Sequence, residues 1–68
     1  MKIIKIDTEY IKLDQFLKFT GVAGNGGEAK MLILAGKAAV NGATETRRGR
    51  KLRPGDSVEI NSSKFTVE

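Results

Sequence analysis

Neither cysteine nor histidine occurs in this chain of 68 residues, and that absence constrains the fold more than any motif does. A chain this short buries only about 60% of the surface its unfolded form exposes, so disulfides or a metal would be welcome staples. Here no disulfide can form, and the nitrogen and sulfur ligands that zinc prefers are missing. One thin apolar core must therefore hold a single domain over residues 1–68. The same absence removes Ser–His and Cys–His nucleophiles. Asp14, Glu28 and Glu45 are the acids best placed to form a pair, but no spacing among them suggests acid–base catalysis. Each reads as helix charge or as a solubilising group. The expectation is a protein that is not an enzyme and that carries no metal and no other cofactor.

Apolar spacing supplies the elements. Residues 2–6, Lys-Ile-Ile-Lys-Ile, are rich in β-branched side chains and predict a strand. Leu13, Phe16, Leu17 and Thr20 stand at i, i+3, i+4 and i+7, the inner face of a short helix that Gly21 can stop. Asp14 falls in its first turn, where a negative charge suits the helix dipole. Gly21 to Gly27 reads as a flexible, glycine-rich loop. Ala29, Leu32, Ile33 and Gly36 repeat the helical spacing, with Gly36 as a left-handed cap and Lys37 just beyond it. The small Ala29 would let the two helices approach closely.

The second half alternates instead. Asn41-Gly42 lies between Ala38-Ala39-Val40 and Ala43-Thr44-Glu45, and Asn-Gly is the strongest short-range hairpin signal because both turn residues must take positive φ. Arg47 to Arg53 reads as an exposed basic loop anchored by Leu52, and Pro54-Gly55 as a turn. Residues 57–60 alternate polar with apolar, Asn61 to Ser63 turn the chain, and residues 64–68 alternate again with Phe65 and Val67 inward. The expected fold class is α+β, two short helices packed on a small, mainly antiparallel sheet.

Charge is unevenly placed. The net charge is +4, yet residues 1–29 balance four basic against four acidic side chains. Residues 30–53 carry seven basic and one acidic, or +6, and residues 54–68 carry −2. A polyanionic partner or a merely solvated face would both explain this. Within that segment Arg47, Arg48, Arg50, Lys51 and Arg53 surround Gly49, and guanidinium groups suit bidentate phosphate contacts. With Lys30 and Lys37 they favour nucleic acid over a localisation signal or a solvated loop. Gly24-x-Gly26-x-x-Ala29 formally matches a dinucleotide fingerprint but follows a helix rather than a strand, so it is rejected. The glycines serve the turn between helices, with phosphate reception at the second helix start as a lesser reading. Phe16 and Phe65 are expected in the core. Phe19 and Tyr10 are either stacking platforms or, as expected here, partly buried against the sheet.

The ordered set Leu13-Asp14-Gln15-Phe16-Leu17-Lys18, Gly21-Val22-Ala23, Ala29-Lys30-Met31-Leu32-Ile33, Gly36-Lys37, Val40-Asn41-Gly42 and Leu52-Arg53-Pro54-Gly55-Asp56 resembles the αL RNA-binding domain, the module named after ribosomal protein S-four. The match covers about residues 11–60. Gly26 to Lys30 and Glu45 to Lys51 look like the stand-alone bacterial YaaA-like branch of that family. The resemblance implies basic residues around the helix pair and hairpin that read structured RNA. By position, Lys12 stands at the Arg that commonly precedes Leu-Asp, Lys30 at a basic position of the second helix, and Lys37 at the basic residue after the capping glycine. Gly26-Gly27 replaces a Ser-Arg pair of many relatives, which leaves more of the contact to residues 47–53.

The expected RNA-binding residues are thus Lys12, Lys18, Lys30, Lys37, Asn41, Arg47, Arg48, Arg50, Lys51 and Arg53. The expected function is non-catalytic binding of structured RNA, plausibly ribosomal RNA or an assembling ribosome. The alternatives are a module that docks on an acidic protein surface and a duplex DNA binder. Met1 to Asp7 holds no apolar run of signal-peptide length, and no stretch reaches membrane-span length, so a cytoplasmic monomer without membrane contact is expected.

Overall fold

Leu13, Phe16 and Leu17 are fully buried, and this i, i+3, i+4 set is the inner face of helix α1 (Leu13–Phe19). The computed structural model describes residues 2–68; Met1, counted in the expected domain, lies outside them. Gly21 takes φ 83° and its N–H donates to the Lys18 carbonyl, which ends α1 as expected. Helix α2 (Gly26–Leu34) begins earlier than expected, inside the glycine-rich run. Asn25 explains this: its side-chain oxygen accepts the Glu28 N–H at 2.8 Å and caps the helix, offsetting the poor propensity of two glycines. At the far end Gly36 has φ 75°, with Gly36 N–H bonded to Ile33 and Lys37 N–H to Leu32, a complete Schellman cap.

The inner face of α2 differs in one position from the expectation. Ala29 and Ile33 are buried, whereas Leu32 is only half-buried at the edge of the core. The buried Ala29 presents no bulk where α2 meets α1.

Five strands form the sheet in the order β1 (Lys2–Ile4), β7 (Ser63–Val67), β6 (Ser57–Ile60), β3 (Ala38–Val40) and β4 (Ala43–Thr44). All neighbours are antiparallel except β1 and β7, which run parallel with Lys2 opposite Phe65. The fold is therefore α+β, two helices on a mainly antiparallel sheet. The first strand is shorter than residues 2–6, although Ile6 N–H still reaches the Glu68 carbonyl. Asn41 and Gly42 both have positive φ, as their hairpin demands, and Asn61 and Ser62 repeat this between β6 and β7. Phe65 and Val67 point inward, and the Phe65 ring meets Phe16 edge-on at 5.8 Å, tying α1 to the sheet.

A separate two-stranded ribbon pairs β2 (Ile11–Lys12) with β5 (Lys51–Leu52). The basic segment read from the sequence as a loop thus ends in a strand, whose Leu52 is the buried anchor expected.

Candidate nucleic-acid interface

Helix α1 has no side-chain cap, because the basic segment caps it with backbone. Leu13 N–H donates to the Arg50 carbonyl at 2.8 Å and Asp14 N–H to the Arg48 carbonyl at 3.1 Å. Two of the amides a helix start leaves unpaired are thereby satisfied, and residues 48–50 are pinned against α1.

Glu45 shapes the same segment from within. It is only 8% exposed, and its carboxylate accepts from the Arg47 backbone N–H, Arg47 Nε at 3.2 Å and Arg50 Nη1 at 2.9 Å. The Arg47 side-chain and backbone hydrogen bonds, then that of Arg50, outweigh burial and draw its pKa from the ordinary 4.5 to about 2. Reading Glu45 as a solubilising charge is therefore corrected. It stood out in the sequence as the one acid among the seven cations of residues 30–53.

Glu45 thus pairs with two of the five cations of the segment. Arg47 and Arg50 bond Glu45, yet the Arg47 side chain stays 76% exposed, and both line a shallow surface groove with Lys51 and Arg53. Arg48, Lys51 and Arg53 are exposed. Lys51 Nζ lies 4.9 Å and the Arg53 guanidinium carbon 5.8 Å from the centre of the Tyr10 ring, so one aromatic gathers both cations. Pairing of β2 with β5 sets Lys12 directly opposite Lys51. Lys12, Arg48, Lys51 and Arg53 are thus brought together around the start of α1.

The other expected residues are distributed differently. Lys18 sits exposed in the last turn of α1, Lys30 on the outer face of α2, and Lys37 just past its cap. Asn41 is committed elsewhere. Its Nδ2 donates to Asp56 at 3.0 Å and its Oδ1 accepts the Ser57 N–H at 2.9 Å, latching the hairpin to β6. Burial pushes the Asp56 carboxyl up, but hydrogen bonds from Arg53 N–H and Asn41, with the charges of Arg50 and Arg53, hold it below its usual range.

The aromatic expectation is half overturned. Tyr10 is partly buried, but Phe19 is 65% exposed because its position in α1 lies off the face that Leu13, Phe16 and Leu17 bury. No helix among the described residues is long and apolar enough to cross a membrane.

Comparison with known proteins agrees with the fold. The S4 domain model matches residues 4–68. The chain is 51% identical over 57 residues to the "Probable ribosome maturation protein RlbA" of Bacillus subtilis (strain 168), covering 84% of this chain and 80% of the relative. The solution structure of YbcJ from E. coli, reported to reveal an αL motif involved in RNA-binding, superposes with a TM-score of 0.74 at 29% identity, covering 98% of this chain and 86% of that one.

Proposed function

The chain belongs to the S4 domain family, and on that premise we propose that it binds structured RNA, ribosomal RNA in particular, as a cytoplasmic monomer without catalysis of its own. The relative named for ribosome maturation and the neighbour whose αL motif is involved in RNA-binding support this reading. The observation that carries it is the pairing of Lys12 with Lys51. Like charges directly opposite on a ribbon destabilise it, and Lys12 also stands at the positive end of the α1 dipole. Such a placement costs the free protein stability and is offset when a polyanion lies across it.

RNA is favoured over DNA by the shape of the elements. Helix α2 is nine residues long and offers Lys30 but no Arg, Asn or Gln for base edges in a major groove. Phosphates held in a fixed shape suit a short basic ribbon beside a helix. At physiological salt a structured ribosomal RNA fragment is expected to bind more tightly than single-stranded RNA or duplex DNA of equal charge. Each phosphate contact contributes a log–log salt slope of about −0.7 to −0.9. Replacing Arg48, Lys51 and Arg53 with Ala together should flatten the slope by about two to three units. Equal affinity for all three ligands would reduce the protein to a generic polyanion binder. Binding to none would favour docking on an acidic protein.

A further inference from the structure

An open groove of about 970 Å³ runs between the connection that follows β1 and the exposed side of α1. Ile6, Tyr10, Ile11, Gln15, Lys18 and Phe19 line it. Phe19 contributes little to the core, which Leu13, Phe16 and Leu17 already supply from the same helix. An aromatic ring left in water beside a second ring is a flat apolar surface without an intramolecular occupant.

The rim of this groove is cationic. Lys5 and Lys18 line it, and Lys51 and Arg53 stand over Tyr10 at its wall, against Asp7 as the acid of the lining. Lys51 and Arg53 also belong to the cluster assigned above to phosphate, so the groove continues that interface. Its occupant must therefore be flat and apolar on its faces, polar at its edges and attached to negative charge.

We infer that the groove receives one unstacked nucleobase of the bound RNA, with Phe19 as the stacking surface, Tyr10 as the adjoining wall and Lys18, Lys51 and Arg53 on the flanking phosphates. The inference rests on the RNA-binding reading. Specific RNA recognition commonly targets bases splayed from loops and bulges, stacked on aromatic side chains and bonded along their edges. The Gln15 carboxamide supplies a donor and an acceptor for such an edge. One pocket for one base also fits a chain that lacks the row of aromatics typical of single-strand binders.

The test uses the full chain and three forms of a short RNA hairpin, carrying one unpaired adenosine, an abasic residue in its place, or no bulge. Stacking of one base is worth between about five- and 160-fold in affinity. The adenosine hairpin is expected to bind about tenfold more tightly than the abasic one. Phe19→Ala should abolish that preference while leaving affinity for the abasic hairpin and the melting temperature unchanged. The ring resonances of Phe19 should shift with the adenosine hairpin and not with the abasic one. Equal affinity for all three hairpins would overturn the inference and leave RNA binding intact. Equal loss of binding to all three in Phe19→Ala would also overturn it, since Phe19 would then serve the RNA in general. Absence of binding to any hairpin would overturn the RNA-binding reading itself.

Discussion

The helix pair and residues 45–53 both present cations to solvent, but different forces hold them in place. In α1 and α2 the buried Leu13, Phe16, Leu17, Ala29 and Ile33 fix the backbone, and Lys18 and Lys30 ride on the outside. Residues 45–50 have no regular structure, and only Leu52 beyond them reaches the core. Their shape comes from the Glu45 carboxylate, from the Arg50 N–H bonded to Arg47 O, and from the two carbonyls that cap α1. Burial therefore sets the first region, and charge and hydrogen bonding set the second. A cation can be removed from a helix without altering the fold. In the segment the outcome depends on which Arg is removed.

The largest effects should fall on the region set by burial. Phe16→Ala or Ile33→Ala is expected to cost about 2–5 kcal/mol, from lost burial plus the cavity left behind. In a domain of this size that is a large fraction of the total stability. Leu32→Ala should cost about 1–2 kcal/mol, because a half-buried side chain loses less contact. Thermal melts of the three variants check the order. A Leu32 variant as damaged as the Ile33 variant would mean that the inner face of α2 is rotated from the position described.

Smaller effects are expected where charge sets the shape. Glu45→Ala removes hydrogen bonds to two guanidinium groups and should cost about 1–3 kcal/mol. It should also weaken RNA binding while raising the net positive charge, an outcome that a simple charge count does not give. Arg47→Ala with Arg50→Ala should lower the melting temperature as well, because both guanidinium groups bond the buried Glu45 carboxylate. Because the folded pKa of Glu45 is depressed, its contribution is full above the ordinary value of 4.5 and is lost as pH falls toward about 2. Melting temperature measured from pH 6 to about pH 2 should drop more steeply for the native chain than for Glu45→Ala. Parallel curves would remove Glu45 from its organising role.

What was legible in the sequence follows the same division. Helical spacing, the glycine caps and the Asn-Gly turn are local signals, and each led to its element. The β2–β5 ribbon was illegible because two residues per strand show no alternation, and Lys51 lies in a run that reads as a loop. The parallel pairing of β1 with β7 joins the two ends of the chain, which no local pattern reports. Of the ten expected site residues, Lys12, Arg48, Lys51 and Arg53 converge. Arg47 and Arg50 bond Glu45 while lining a groove with Lys51 and Arg53, and Asn41 is spent on Asp56 and Ser57. Sequence spacing shows that cations are close along the chain; it does not show which of them have an internal partner.

The smallest effect offers the sharpest test of why the ribbon carries its charge. Lys12 faces Lys51 across the β2–β5 pair and precedes the first turn of α1, where a cation opposes the helix dipole. Each of these placements costs a few tenths of a kcal/mol in an exposed setting. Lys12→Gln keeps most of the length of the side chain and removes the charge. It is therefore expected to raise the stability of the free protein by about 0.3–1 kcal/mol. That is about two to six degrees in the melting temperature of a domain this small. The same change should weaken RNA binding and flatten the log–log salt slope by about 0.7 to 0.9, the share of one phosphate contact. Stability and affinity would then move in opposite directions from a single exposed substitution, which a solvated face cannot produce. Lys30→Gln is the control. It lies on α2 away from other cations of the ribbon, so it should leave the melting temperature where it is. If Lys12→Gln left both stability and slope unchanged, the pairing of Lys12 with Lys51 would be an accident of register rather than a seat for phosphate.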